Sequence, residues 1–400
     1  MFQQDILATV VKIACMLHRR SFLSISGGFA LSTLLGGCAA ASDAALQIKI
    51  LKGSVSPQLI AAFRRQYGDQ ASSLKFRPVE QLTELFAELE AWRDFDSTQT
   101  EEKPLWQRFK ASAPADLVML GHGWLRQAIA AQLIQPLPMD QLEIWEKLPA
   151  FWQDFVQRDQ QGDFAADSDA GKVWGIPYRW GTTVILYRKD KLKKLGWEPQ
   201  DWSDLWREDL GDRLSLLNHS REGIGLVLKK MGHSYNETNL GAIAGLEAEL
   251  QALHKNVKFY SSTNYLQPLI NDDTWVAQAW SQDALPLLKR YPNLGAIVPK
   301  SGTSIWCDLW VQPIKNNQDF QALQQWLEFC WEAAGVNQLA LSANSASPLI
   351  YDTKVVDPKV KNNPLIWVAP NIFQQSEIIH DLEPTVTAEY QKLWRKIRQA

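Results

Sequence analysis

The chain has 400 residues, with 41 Lys and Arg against 44 Asp and Glu and a formal net charge of −3. This mild acidity excludes a nucleic-acid partner, which needs a basic stripe to meet phosphate. The length exceeds one ordinary domain and predicts two lobes.

The first forty residues read as an export signal. His18-Arg19-Arg20-Ser21-Phe22-Leu23 precedes a modestly apolar run from Ser24 to Leu35, then Gly36-Gly37-Cys38. That run is too short to cross about 30 Å of hydrocarbon. The Arg-Arg-x-Phe-Leu pattern resembles a twin-arginine signal. Leu35-Gly36-Gly37-Cys38 resembles a bacterial lipobox, which makes Cys38 the expected lipidated first residue of the mature chain. Residues 6–17 are apolar apart from Lys12, a poor charged start, so translation is expected from Met16, with a discarded long leader from Met1 as the alternative. Without residues 1–37, which carry Lys12, Arg19, Arg20 and Asp5, the net charge falls from −3 to −5. Beyond Cys38 only Cys307 and Cys330 remain. They form no Cys-x-x-Cys metal pattern and are expected as two buried thiols.

Residues 38–45 form a small-residue tether. Leu46 to Ile50 alternates like a strand, and Ser56-Pro57 opens an amphipathic helix with Leu59, Ile60 and Phe63 on one face. A strand at 74–78, a helix at 79–92, a buried strand at 115–120 and a helix at 124–135 follow, with a charged surface insertion at 93–112 between them. Strand alternating with helix predicts an open α/β sheet, mostly parallel and covered on both faces. Pro177 separates two strand-like runs, and a proline is barred from a central ladder, so the chain is expected to cross between lobes there. The second lobe continues with strands at 182–187, 213–217, 257–260 and 275–279 and helices at 203–208, 221–231, 239–254 and 263–271. A strand at 309–311, a long helix from Asp319 to Ala334 and a closing helix at 385–398 complete the order. The predicted lobes are 46–178 plus 305–347 and 179–304 plus 348–400.

Five segments carry a resemblance: Gly175 to Thr183, Trp202 to Trp206, Arg221-Glu222 opening a helix that ends Lys230 to His233, Ala279 to Ser281, and Val298 to Trp310. In order and spacing, over roughly residues 170–350, the chain resembles the bacterial extracellular solute-binding proteins of ABC importers, and within them the spermidine/putrescine-binding branch. The resemblance implies a type II periplasmic-binding-protein fold of two hinge-linked α/β lobes that close on a ligand. It implies a monomer that delivers a small solute, a polyamine or other cationic amine, to an ABC permease, with no cofactor and no metal.

The branch uses carboxylates for ammonium ends and aromatic faces for the methylenes between them. The resemblance places Glu222 at the acid that opens a second-lobe helix, Asp308 and Trp306 at the acid and aromatic of a Trp-x-Asp sequence, and Trp280 at an aromatic wall. Trp180, His122 at a strand's carboxyl end and Lys52 after the first strand are further candidates. The departures are His219 where the branch has an acid, Lys52 to Val55 and Gly121 to Trp124 where it has aromatics and hydroxyls, and Ser345 where it has a tyrosine. The second-lobe half of the site looks kept and the first-lobe half rebuilt, which leaves open a shorter amine or a zwitterion using Lys52.

Other classes fare worse. Histidines 122, 219, 233, 254 and 380 show no i,i+3 or i,i+4 metal spacing. The chain has no Gly-x-Ser-x-Gly and no dinucleotide fingerprint, so it is not expected to be an enzyme. Ferric sites on this scaffold favour adjacent tyrosines, which the chain lacks. The remaining alternative is an exported surface lipoprotein on the same scaffold, binding a zwitterion or another solute, or serving assembly without transport.

Overall fold

The computed structural model describes residues 46–68, 73–93, 114–139, 142–143, 145–165, 171–314 and 321–399. The export signal, Cys38, the tether, residues 94–112 of the expected insertion and the expected helix start at Asp319 lie outside them. Leu46, Ile48 and Ile50 are the buried residues of β1 (Leu46–Leu51), as alternation requires of a strand against a core. Ser56 then caps α1 (Pro57–Tyr67), its side chain accepting from Leu59 N–H with Pro57 at the first turn. β2 (Leu74–Val79), α2 (Leu82–Arg93) and the fully buried β3 (Leu117–Gly121) follow.

The expected helix at 124–135 is shorter. Its helical part is α3 (Leu125–Ala130); Gln132 takes a left-handed φ of 54°, and β4 (Ile134–Gln135) leaves to pair with a later strand. β5 (Gln157–Arg158) and β6 (Lys172–Val173) form a separate ribbon. Then come β7 (Ile176–Arg188), β8 (Leu214–Leu216), α4 (Ser220–Lys230), α5 (Leu246–His254), β9 (Val257–Tyr260), β10 (Val276–Trp280), α6 (Ser281–Arg290), β11 (Leu294–Ile297) and β12 (Ser304–Pro313). Residues 203–206 are a 3-10 turn rather than the expected helix, closed by a capping box between Asp201 and Asp204. The expected helix to Ala334 breaks at Glu332, whose backbone is extended, into α7 (Gln321–Trp331) and α8 (Ala333–Ser342). The chain ends with β13 (Glu377–Ile378) and α9 (Pro384–Arg398).

The main sheet runs β2-β1-β3-β12-β7-β10-β8-β9, with β11 on β7 and β4 and β13 on β12. Its two arms, β2-β1-β3 and β10-β8-β9, are parallel, and the pairings of β12 and β7 with each other and with the arms are antiparallel. β7 runs unbroken through the middle: residues 176–182 pair with β12, and 183–187 pair with β10. Pro177 therefore does lie in a central strand. It is tolerated because the register shifts between Asp308 and Leu309, leaving Tyr178 without a partner in the β12 ladder, and the Pro177 carbonyl accepts from Trp331 Nε1 at 2.9 Å.

Two apolar cores flank the sheet. The larger includes Ile48, Leu117, Trp180, Trp310 and Trp326; the smaller includes Ile185, Trp202, Ile224, Val276 and Tyr390. The tail is shared between them. Ile350, Val360 and Val368 join the first, while Tyr390, Trp394 and Ile397 on α9 join the second, so residues 348–400 do not lie wholly with one core.

Candidate functional site

Two neighbouring strands set out the site by their two-residue alternation. On β7, Arg179, Gly181 and Thr183 share one face; on β12, Ser304, Trp306 and Asp308 share the facing stretch, with Arg179 opposite Asp308 and Gly181 opposite Trp306. Asp308 is 4% exposed; Arg179 Nε donates to its Oδ2 at 2.7 Å, and Nη2 stands 2.6 Å from the same oxygen as an ion pair. Burial pushes the Asp308 carboxyl above its ordinary range, against the pull of Arg179. Arg179 also donates to Ser345 Oγ at 3.1 Å and lies 5.4 Å from the centre of the Trp306 ring. The indole of Trp306 rests on the backbone of Gly181, where an added Cβ would approach its ring to 2.4 Å. A glycine is required there by this close approach.

Glu222 comes from the first turn of α4, where an acid suits the positive end of a helix. His219 caps that helix, its Nδ1 accepting from Glu222 N–H at 3.3 Å. The Glu222 carboxylate turns back to the sheet. Oε1 accepts from Thr183 Oγ1 at 3.0 Å and from Trp280 Nε1 at 3.3 Å, and Oε2 accepts from Ser304 Oγ at 2.7 Å. All three donors are neutral. No ion pair within 4 Å reaches Glu222 among the described residues, although it is 5% exposed. Trp280 is buttressed from behind: Tyr265 meets it edge-on at 5.9 Å and donates its hydroxyl proton to Asp283 at 2.7 Å.

A cavity of about 490 Å³ opens over this surface, lined by His122, Glu222, Trp280, Trp306 and Asp308 of the expected residues. His122 stands after β3, and its Nδ1 accepts from Cys307 N–H at 3.2 Å. Burial lowers its pKa to about 4, so at neutral pH the ring is uncharged with its proton on Nε2. Trp180 and Lys52 are not in the cavity wall. Trp180 alternates to the opposite face of β7, is 1% exposed, packs on Trp152 and Phe373, and donates Nε1 to Ser347 O at 2.9 Å. Lys52 is exposed, pairs with Glu80 at 2.7 Å, and borders a separate surface hollow beside α1. Cys307 and Cys330 are free and buried.

Arg179, Arg221, His380 and Asp381 also stand at the site and are not among the residues expected from the sequence. Arg179 had a legible signal, since it stands two residues from Gly181 and four from Thr183 in a strand. Arg221 lines the cavity but spends its guanidinium on the His380 and Tyr235 carbonyls and on Asn236 Oδ1, at 2.8, 3.0 and 2.9 Å. His380 and Asp381 arrive from a distant tail with no local pattern to mark them. No group of three or more metal-ligating side chains occurs among the described residues.

The profile of the bacterial extracellular solute-binding proteins matches residues 112–376. The chain belongs to this family. This solute-binding protein is 23% identical over 233 residues to the spermidine/putrescine-binding periplasmic protein of Salmonella typhimurium, covering 58% of this chain and 65% of that relative. It is 24% identical over 322 residues to the putrescine-binding periplasmic protein PotF of Escherichia coli K12, covering 76% and 83%. Among solved structures, the spermidine/putrescine ABC transporter substrate-binding protein PotD from Streptococcus pneumoniae superposes with a TM-score of 0.72 at 18% identity, over 88% of this chain and 98% of that one. The Tp0655 (TpPotD) lipoprotein of Treponema pallidum gives 0.64 at 15% identity, over 89% and 99%. The solute-binding protein thus has the two-lobe α/β fold of these neighbours, and its family is one of solute binders, not enzymes.

Proposed function

We propose that this chain is the solute-capturing component of an ABC importer and holds a small cationic amine between Glu222 and the indole faces of Trp280 and Trp306. The observation that carries the reading is Glu222, a carboxylate 5% exposed whose hydrogen-bond partners are all neutral. A buried charge of this kind is costly until a counter-charge arrives. Aromatic faces beside it suit an ammonium with apolar substituents. The names of relatives that bind spermidine and putrescine support the same ligand chemistry. The cavity of about 490 Å³ favours solute capture over an assembly role.

In this reading the halves on either side of the β7–β12 crossing, residues 46–178 plus 305–347 and 179–304 with the terminal helix, close as lobes about that crossing. The protein works as a monomer beside an ABC permease. It is exported by the twin-arginine route and tethered to the membrane by lipid on Cys38.

The test is a thermal-shift and tryptophan-fluorescence screen of the protein against amines, amino acids, sugars and oxyanions at about 1 mM. A ligand with a Kd of about 10 µM stabilises the native state by about 2.7 kcal/mol. An amine is expected to shift melting, and Glu222→Gln is expected to abolish the shift while the protein stays folded. Response to oxyanions alone, or undiminished amine binding by Glu222→Gln, would overturn the reading.

A further inference from the structure

The charged side chains that line the cavity are Arg221, Glu222, Asp308 and Asp381. Asp308 is met by the buried Arg179 through one hydrogen bond and a close ion pair, and that pair is built into the ladder as a cross-strand couple. Burial pushes the carboxyl of Asp381, at the cavity's tail side, up to about 6, against the pull of the positive charges of Arg158, Arg126 and Arg221. The Glu222 carboxylate accepts its hydrogen bonds from uncharged donors. The Arg179 guanidinium also sits by Trp306, the ring on which the second end of a diamine would lie. A second ammonium there would meet a cation already in place and a carboxylate already spent.

We infer that the Arg179–Asp308 pair makes the cleft selective for solutes with a single cationic head, whose far end is uncharged or anionic, and against diamines. This rests on the reading of Glu222 as the seat of an amine. Arg179 acts as a specificity-determining residue by occupying Asp308 and by setting the charge beneath Trp306.

The experiment is calorimetric titration of the full chain with a matched series on one four-carbon frame: butylamine, 4-aminobutan-1-ol, 4-aminobutanoate and 1,4-diaminobutane. The same end groups on three- and five-carbon frames guard against a length mismatch. The members with one cationic head are expected to bind at least tenfold more tightly than the diamine of equal length. Arg179→Leu frees Asp308 and is expected to shift the ratio at least tenfold toward the diamine. Arg179→Gln, which keeps hydrogen-bond donors for Asp308 while removing the charge, serves if the leucine variant does not fold. A diamine that binds the unaltered protein as tightly as the monoamines overturns this inference and leaves the amine reading intact. An unchanged ratio in a folded Arg179 variant does the same. Absence of binding by every member overturns both.

Discussion

Replacing His122 tests whether a buried imidazole makes the fold sensitive to acid. Its ordinary pKa of 6.5 is lowered to about 4, first by burial, with His380 and His219 adding like-charge opposition. Backbone contacts at Cys307 and Ile379 pull the other way without cancelling the burial. Between those two values the unfolded chain binds the proton and the folded one does not, so stability falls as pH falls. From pH 8 to pH 5 the difference in proton binding removes about 2 kcal/mol, and about 3 kcal/mol is lost once the pH is below both values. His380, also lowered to about 4 by burial and by Arg158 and Arg221, contributes separately in the same window. Urea unfolding at pH 8 and at pH 5 should show the His122→Gln variant losing about 2 kcal/mol less than the parent over that interval. The pH difference is the readout, since glutamine restores an acceptor to Cys307 imperfectly and shifts both curves together. An equal pH difference in parent and variant, or an His122 ring that titrates near 6.5 by NMR, would refute the argument.

Two further perturbations probe packing and charge. Asp308→Asn strands a guanidinium that is 2% exposed and should cost about 3–5 kcal/mol in urea unfolding, whereas Arg179→Met with Asp308→Leu together should stay much closer to the parent. Gly225→Ala should lower the melting temperature although alanine favours helix by about 1 kcal/mol, because its Cβ would stand 2.1 Å from the Tyr235 ring and overpacking costs about 1–3 kcal/mol.

The order of strands and helices was legible because apolar alternation and the Ser56-Pro57 cap act locally. The misreadings had non-local causes. Pro177 enters a central strand because a bulge opposite Leu309 removes the need for its missing N–H, and nothing near Pro177 in sequence announces that bulge. The helix after Trp124 stops early because Ile134 is claimed by the distant strand β12, where it pairs with Pro313. In the site, Glu222, Trp280, Trp306 and Asp308 were readable from motifs, and all four line the cavity. Trp180 lies away from the cavity, since strand alternation turns it from the face of Arg179 and Gly181. Lys52 lies away from it too, paired with Glu80 after β1. No sequence spacing relates Asp381 or His380 to α4, which they meet only through the folding of the tail.

The position of β3 bears on how the protein is made. Among the described strands β3 borders β1 and β12, so during synthesis the edge that meets β12 waits until residues 304–313 have emerged. The helices α7 and α8, which pack against α1 and each other, emerge later still. A nascent chain shorter than this carries an unpaired, wholly buried-type strand, Leu117 to Gly121, which is a ready template for pairing with the wrong neighbour. Contacts so distant in sequence also form slowly. Until β12 has emerged, the half-made sheet therefore offers an open edge on which the growing chain can aggregate.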